Sequence, residues 1–130
     1  MTRQWSDDEL NALTEKVIGL CMAVHKTLGP GLLESAYAFC LAHEMALAGI
    51  MFQREVPLPV HYKDVHLDCG YRLDFVVEDV LILELKSVEK LDKIHQAQVL
   101  TYLKLSGKPI ALLINFNVPL LKDGIVRLRK

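Results

Sequence analysis

Two acidic side chains and a lysine interrupt apolar sequence in the middle of the chain. Asp74 lies in a segment that reads YRLDF, and Glu84 and Lys86 lie in a run that reads VLILELK. Because alternate side chains of a β-strand share a face, Glu84 and Lys86 are predicted to point the same way. A buried charge is costly unless it is paired, so these groups need partners, water or a metal ion.

Asp74 and Glu84 are predicted to meet across a tight hairpin, where two carboxylates would suit a hard divalent cation. Mg²⁺ prefers oxygen ligands and usually keeps several waters, which leaves room for a phosphate oxygen. The backbone carbonyl of Leu85 is a further candidate ligand. Lys86 could orient the attacking water and stabilise the transition state, so that these parts would suffice for phosphodiester hydrolysis. The alternative is a salt-bridged cluster of Asp74, Glu84 and Lys86 at a sheet end.

Two helices are predicted to precede these residues. Ser6 followed by Glu9 is a capping-box pattern. Apolar residues then recur at helical spacing as far as Leu28. The Gly-Pro-Gly sequence at 29–31 breaks that helix, and a second helix is predicted over residues 32–48, with Gly49 as its stop.

The remaining pattern predicts strands around one further helix. Residues 56–62 alternate but contain Pro57 and Pro59, which favours an edge or bulged strand. Strands are also predicted at 65–77, with a bend at Gly70, and at 80–86, 110–116 and 125–128, with a helix over 89–105. The order α-α-β-β-β-α-β-β indicates an α/β fold with a mixed sheet flanked by helices.

A length of 130 residues fits one domain spanning residues 1–130. No apolar run approaches the roughly 20 residues that cross a membrane, and the N-terminus does not read as a secretion signal, so a cytoplasmic protein without a membrane partner is expected. Residues 1–85 have a net charge of −7 and residues 86–130 one of +6. This asymmetry could direct a positive face towards phosphates or reflect ordinary solvated side chains. The candidate phosphate-steering residues are Lys90, Lys93, Lys104 and Lys108.

The spacing of Asp74, Glu84, Leu85 and Lys86 resembles the signature of the PD-(D/E)XK nuclease superfamily, with Leu73 at the position of the motif proline. Residues 31–37 read GLLESAY and match the naming motif of the GxxExxY family, a bacterial group assigned to that superfamily. The resemblance covers about residues 10–130. It implies a restriction-endonuclease-like core and a metal-dependent nuclease.

The resemblance also implies roles for residues on the helices. Glu34 would be an acid that reaches towards the metal centre, although acids also favour the first turn of any helix. Tyr37 shares its helical face and is assigned to substrate binding. Gln98 and Tyr102 are similar to the QxxxY element of RecB-like nucleases and would line the site, with core packing as the alternative for Tyr102. His95 could join them or act as a surface or capping histidine.

The other histidines, at positions 25, 43, 61 and 66, show no HxxxH spacing and are expected at the surface or in the core.

The leading hypothesis from these motifs is a Mg²⁺- or Mn²⁺-dependent nuclease, acting on DNA more than on RNA. The alternatives are a non-catalytic nucleic-acid or protein interaction module on a nuclease scaffold, and a hydrolase of another phosphoester. The small size also suggests a homodimer as a hypothesis.

Overall fold

A computed structural model describes residues 3–130, which fold as helices packed on a mixed sheet. The elements in chain order are α1 (Asp7–Leu28), α2 (Glu34–Leu47), β1 (Phe52–Pro57), β2 (Val60–Tyr62), β3 (Val65–Leu67), β4 (Arg72–Val77), β5 (Leu81–Lys86), α3 (Lys93–Ser106), β6 (Ile110–Asn115), a 3₁₀ helix (Leu121–Gly124) and β7 (Ile125–Arg129). The predicted α/β class with a mixed sheet is confirmed. No helix within residues 3–130 is long and apolar enough to span a membrane.

The first helix begins where its capping residues predict. The Ser6 hydroxyl accepts a hydrogen bond from the Glu9 N–H at 3.1 Å, and the Glu9 carboxylate accepts one from the Ser6 N–H at 3.0 Å. This reciprocal pair satisfies backbone donors that a helix start leaves without partners. The predicted capping box is therefore confirmed.

The main sheet has five strands in the order β1-β4-β5-β6-β7. β5 is central, antiparallel to β4 and parallel to β6, because α3 carries the chain across one face between them. β5 and β6 are buried almost throughout, as their continuous apolar sequences predict. β1 lies at an edge, as expected for the strand that contains Pro57, although Pro59 lies outside it.

Each face of the sheet is covered by helices. α1 and α2 pack on one face, with Val17 and Leu41 against Phe75 and Leu83 in one apolar cluster. α3 packs on the other face, where Leu103 joins a second cluster that contains Ile82. Since β5 contributes to both clusters, its position is fixed from both sides.

The boundaries of the early strands differ from the prediction. Residues 56–62 and 65–77 were each expected as one strand, but β1 stops at Pro57, β4 starts at Arg72, and the chain between them forms the separate β2–β3 hairpin. The Asp68 carboxylate accepts the Gly70 N–H at 3.1 Å and closes a turn just before β4. Two prolines and this turn interrupt the alternation that suggested longer strands.

Candidate active site

The ladder between β4 and β5 ends where the candidate acids lie. The last paired residues are Phe75 and Leu83. Beyond them, the Glu84 carboxylate accepts the Asp74 N–H at 3.1 Å, and the Asp74 carboxylate accepts the Leu85 N–H at 2.8 Å. The two side chains thus take over the bonds that a continued ladder would have made. The strands part at this point, and both acids are held at the gap.

The edge strand is distorted at the same level. Glu55 lies between the residues that pair with Phe75 and Leu73, and therefore faces Asp74 across the strands. Its φ of 51° is in the left-handed region, which costs energy for a residue other than glycine. Facing carboxylates also repel each other. Backbone strain and like charge are therefore concentrated at one cross-strand position, beside the gap.

In β1 and β4, the side chains on either side of Glu55 and Asp74 point to opposite faces of the sheet, contrary to strict alternation. In β4, Phe75 packs with the α1–α2 cluster but Leu73 packs with the α3 cluster, although strict alternation would place both on one face. In β1, Phe52 and Val56 are divided between the clusters in the same way. Both strands therefore turn over at the level of Glu55 and Asp74, which is how an irregular site is inserted into a regular sheet.

Burial raises the pKa of both carboxyl groups, and the negative charge of a neighbouring carboxylate adds to the effect on each, from Asp74 on Glu84 and from Glu55 on Asp74. Glu84 is 5% exposed. Its pKa is raised to about 8, first because burial disfavours the charged form and then because of the negative charge of Asp74. Burial also raises the pKa of Asp74, against the N–H of Leu85 and the positive charge of Lys86, which lower it. The pair therefore retains a proton near neutral pH unless positive charge is supplied.

Lys86 is the nearest source of positive charge from the chain itself. It is half-buried at the end of β5 and lowers the pKa of both Asp74 and Glu84. Among residues 3–130, no ion pair of Lys86 within 4.0 Å is found. The alternative of a closed salt-bridged cluster is thus not the arrangement observed, because the ammonium group is near the acids but not locked to either.

An open cavity of about 200 Å³ lies against Asp74, between the sheet and the start of α2. The cavity walls contain side chains that carry oxygen atoms, from Glu34, Ser35, Glu55 and Asp74, together with Leu85. Glu84 is buried beside it through its bond to the Asp74 N–H. The cavity gives Asp74 an opening of molecular size towards solvent.

A comparison with protein-family models assigns the chain to a family. The family model of the PD-(D/E)XK nuclease superfamily matches residues 11–128. The chain belongs to the PD-(D/E)XK nuclease superfamily. Neither the comparison with curated proteins nor that with solved structures gave a match. The superfamily assignment from the sequence is therefore confirmed, whereas the narrower GxxExxY assignment stays a prediction. Membership supports a nuclease-like function.

The start of α2 shows how this superfamily member positions Glu34. Gly31 has a φ of 99°, which only glycine adopts easily, and the Tyr37 hydroxyl donates to the Gly29 carbonyl at 2.6 Å and accepts the Leu32 N–H at 3.2 Å. The Ser87 hydroxyl, just after β5, donates to the Leu32 carbonyl. The turn is thereby fixed to β5, and Glu34 is placed as the first residue of α2 on the cavity wall.

Tyr37 itself is not placed to touch a substrate. Its side chain is 0% exposed and stacks on Phe116 with ring centroids 4.5 Å apart. Both of its hydrogen-bonding capacities are used within the turn. The position of Tyr37 therefore indicates a structural role instead of the expected substrate-binding one. Tyr37 shares a helical face with Glu34, but it lies one turn further along α2, where that face is buried in the core.

Gln98 and Tyr102 lie on α3 on the Glu84 side of the sheet. Burial and the nearby Glu84 charge raise the pKa of Tyr102, whereas its side-chain hydrogen bond with Gln98 lowers it. Gln98 is exposed, and the Tyr102 ring lies 6.4 Å from that of the exposed Tyr71. The structure thus brings this pair next to Glu84, with Gln98 open to solvent and Tyr102 mostly packed in the core.

His95 caps the start of α3. Its Nδ1 accepts the Asp92 N–H at 2.9 Å, which completes a capping box with Asp92. This box also explains why α3 starts at Lys93 rather than near residue 89, as predicted. The capping alternative for His95 therefore describes its position, and one ring nitrogen is already engaged.

The donor set at the gap fits a hard divalent cation. All candidate ligands are oxygens, from Asp74, Glu84 and the Leu85 carbonyl, and Mg²⁺ is commonly held by one or two carboxylates while keeping waters. Within residues 3–130, no three His, Cys, Asp or Glu side chains come close enough to form a ready-made ligand cluster. Glu34 and Glu55 are thus wall residues rather than a third ligand already in place.

The position of Glu55 on the cavity wall was not predicted from the sequence. Its neighbours read as an ordinary proline-containing edge strand, and its contact with the site arises only from pairing with β4. The available signal was an isolated acid in a strand whose register could have been aligned with Asp74.

The lysines predicted to attract phosphates differ in their surroundings. Lys90, Lys93 and Lys104 are exposed, whereas Lys108 is paired with Asp79 at 2.8 Å.

Proposed function

We propose that this protein is a Mg²⁺- or Mn²⁺-dependent nuclease that hydrolyses phosphodiester bonds in DNA. The observation that supports this most is the parting of β4 and β5 at Asp74 and Glu84, with the charge of Lys86 nearby and an open cavity against Asp74. In a superfamily of nucleases, a buried acidic pair that retains a proton for lack of positive charge is suited to hold a cation. The choice of DNA over RNA rests on the resemblance of the motifs.

Asp74 and Glu84, with the Leu85 carbonyl, would hold the cation. When bound, a divalent cation offsets negative charge that develops on the phosphate and makes water easier to deprotonate. The remaining chemistry belongs to the chain. Lys86 is near both carboxylates without being locked to them, so its ammonium group can donate a hydrogen bond to the attacking water or to a phosphate oxygen.

The walls of the cavity would limit where the phosphate can lie. Glu34 and Glu55 are negative, so they exclude a phosphate group from their side unless a cation lies between. The exposed Lys90 follows β5, and the exposed Lys93 and Lys104 lie on α3, where they would attract the neighbouring phosphates. Such contacts release counterions, and cleavage would therefore weaken as salt increases.

The test is a cleavage assay on labelled linear and circular DNA and on RNA, with Mg²⁺, with Mn²⁺ and with a chelator. We expect metal-dependent cleavage that falls at least about 10²-fold in Lys86→Ala, since loss of one stabilising donor costs about that much. Lys16→Ala, which removes an exposed lysine of α1, is the matched control and should cleave like the wild type. Wild-type cleavage by Lys86→Ala would refute the role of Lys86.

A non-catalytic interaction module is the second candidate. It is favoured by the lack of a ready-made three-residue ligand cluster within residues 3–130 and by the near-complete burial of Glu84. Calorimetry with Mg²⁺ and Mn²⁺ separates the two. A nuclease should bind the cation and lose that binding in Asp74→Asn, whereas no binding by a folded wild-type protein would favour the interaction module.

A further inference from the structure

The β2–β3 hairpin has two faces of different chemistry. Its register pairs Val60 with Leu67, His61 with His66 and Tyr62 with Val65. Since directly opposed residues share a face and successive residues alternate, the apolar pairs lie on one side and the histidine pair lies alone on the other. All of these positions except the half-buried Val60 are exposed.

The two imidazole rings are in contact. The ring centroids of His61 and His66 lie 3.8 Å apart, with an angle of 59° between the ring planes. Two nitrogens that bind one Zn²⁺ tetrahedrally, at Zn–N distances near 2.0–2.1 Å, lie roughly 3.3 Å from each other. Rings at this separation can therefore offer one nitrogen each to the same ion after small side-chain rotations.

We propose that His61 and His66 form a binding site for a borderline transition-metal ion of the Zn²⁺, Ni²⁺ or Cu²⁺ class, separate from the carboxylate site. Imidazole suits these ions, whereas Mg²⁺ requires oxygen ligands. Within residues 3–130, no third His, Cys, Asp or Glu side chain joins the pair. The ion would therefore keep water or an external ligand in its other positions.

The surroundings of the pair do not oppose a cation. The Lys63 ammonium group at the hairpin tip lies 5.3 Å from the centre of the Tyr62 ring, which points to the apolar face. The acid Asp64 shares the turn. The positive charge nearest in sequence is thus drawn to the opposite side, and the histidine face stays open to an incoming ion.

A bound ion would join β2 to β3. An isolated two-stranded hairpin is marginally stable in water. Within the described residues this hairpin pairs with no other strand, and Lys63 at its tip has a left-handed conformation with a φ of 55°. An ion that binds only the formed hairpin stabilises it by mass action. The proposed site therefore acts as a clip that orders the hairpin.

Zn²⁺ is the probe, titrated calorimetrically into the full chain in the Asp74→Asn background so that the carboxylate site does not contribute. We expect one equivalent to bind, with affinity at least about tenfold weaker in His61→Ala and in His66→Ala, since even loss of groups that support a ligand costs 10–100-fold. His43→Ala removes an exposed histidine of α2 and is the control that should keep full affinity. Far-UV circular dichroism verifies that each variant is folded.

Tryptic cleavage after Lys63 provides an independent readout. Zn²⁺ should slow this cleavage in the control and not in His61→Ala, because only the clipped hairpin resists opening. Equal Zn²⁺ affinity in all variants, no binding at all, or protection that persists in His61→Ala would each overturn the proposal. None of these results depends on nuclease activity.

Discussion

Replacing Glu84 by glutamine should stabilise the metal-free protein at alkaline pH. The folded state raises the pKa of Glu84 from 4.5 to about 8, because of burial and the charge of Asp74. For an acid with a raised pKa, the contribution to stability is fully present below the ordinary pKa and is lost as pH rises through the folded value. The free energy of unfolding should thus fall between about pH 5 and pH 8.

The expected gain in the free energy of unfolding follows from the raised pKa of Glu84. A change in pKa from 4.5 to about 8 corresponds to at most about 5 kcal/mol, at about 1.4 kcal/mol per pH unit. Glu84→Gln removes one of two carboxyls that share the proton, and Asp74 stays buried with a raised pKa of its own. We therefore expect a gain of about 2–3 kcal/mol at pH 8.5 relative to the wild type.

The assay is urea unfolding with a chelator at pH values from 5 to 8.5. Glu89→Gln is the matched control, because it removes an exposed glutamate a few residues further along and should follow the wild-type profile. The glutamine at position 84 keeps an oxygen that can accept the Asp74 N–H, so the geometry is preserved. Parallel pH profiles for wild type and Glu84→Gln would refute the burial of a shared proton at this site.

Other substitutions test the elements around the site. Glu55→Gly should stabilise the fold by about 0.5–1 kcal/mol by relieving its positive φ, while weakening metal-dependent cleavage; a loss of stability in urea unfolding would contradict this. Tyr37→Phe should cost about 1–2 kcal/mol and reduce cleavage, since the turn that fixes Glu34 loses two hydrogen bonds; unchanged stability would contradict it. Gly124→Ala should destabilise by about 1–3 kcal/mol or more, because its Cβ would lie 2.2 Å from the Asn115 carbonyl oxygen, and a wild-type melting temperature would exclude this clash.

Several elements could be read from the sequence because local signals and tertiary burial agree. The capping residues of α1 fix its start. The continuous apolar sequence of β5 predicts a central strand, and its alternation predicts that Glu84 and Lys86 share a face. The alternation of a strand and the capping of a helix are local properties of the chain, so they can be recognised without knowing which distant residues each element contacts.

Other features could not be read because they depend on contacts distant in sequence. Glu55 becomes part of the site only through its register with β4 and its unusual φ. The spacing of Glu34 and Tyr37 shows that they share a helical face, but which part of that face is buried depends on Phe116, almost eighty residues further on. The same holds for His61 and His66, whose contact is created by the hairpin and not by a helical HxxxH spacing.

A crystal structure of the protein soaked in Mn²⁺, with anomalous data, tests the proposed metal centre most directly. We predict an anomalous peak at the end of β4 and β5, with carboxylate oxygens of Asp74 and Glu84 and the Leu85 carbonyl at roughly 2.0–2.2 Å, near the distances known for Mg²⁺. A saturating soak that leaves Asp74 and Glu84 bonded only to the backbone, with no peak between them, would contradict it.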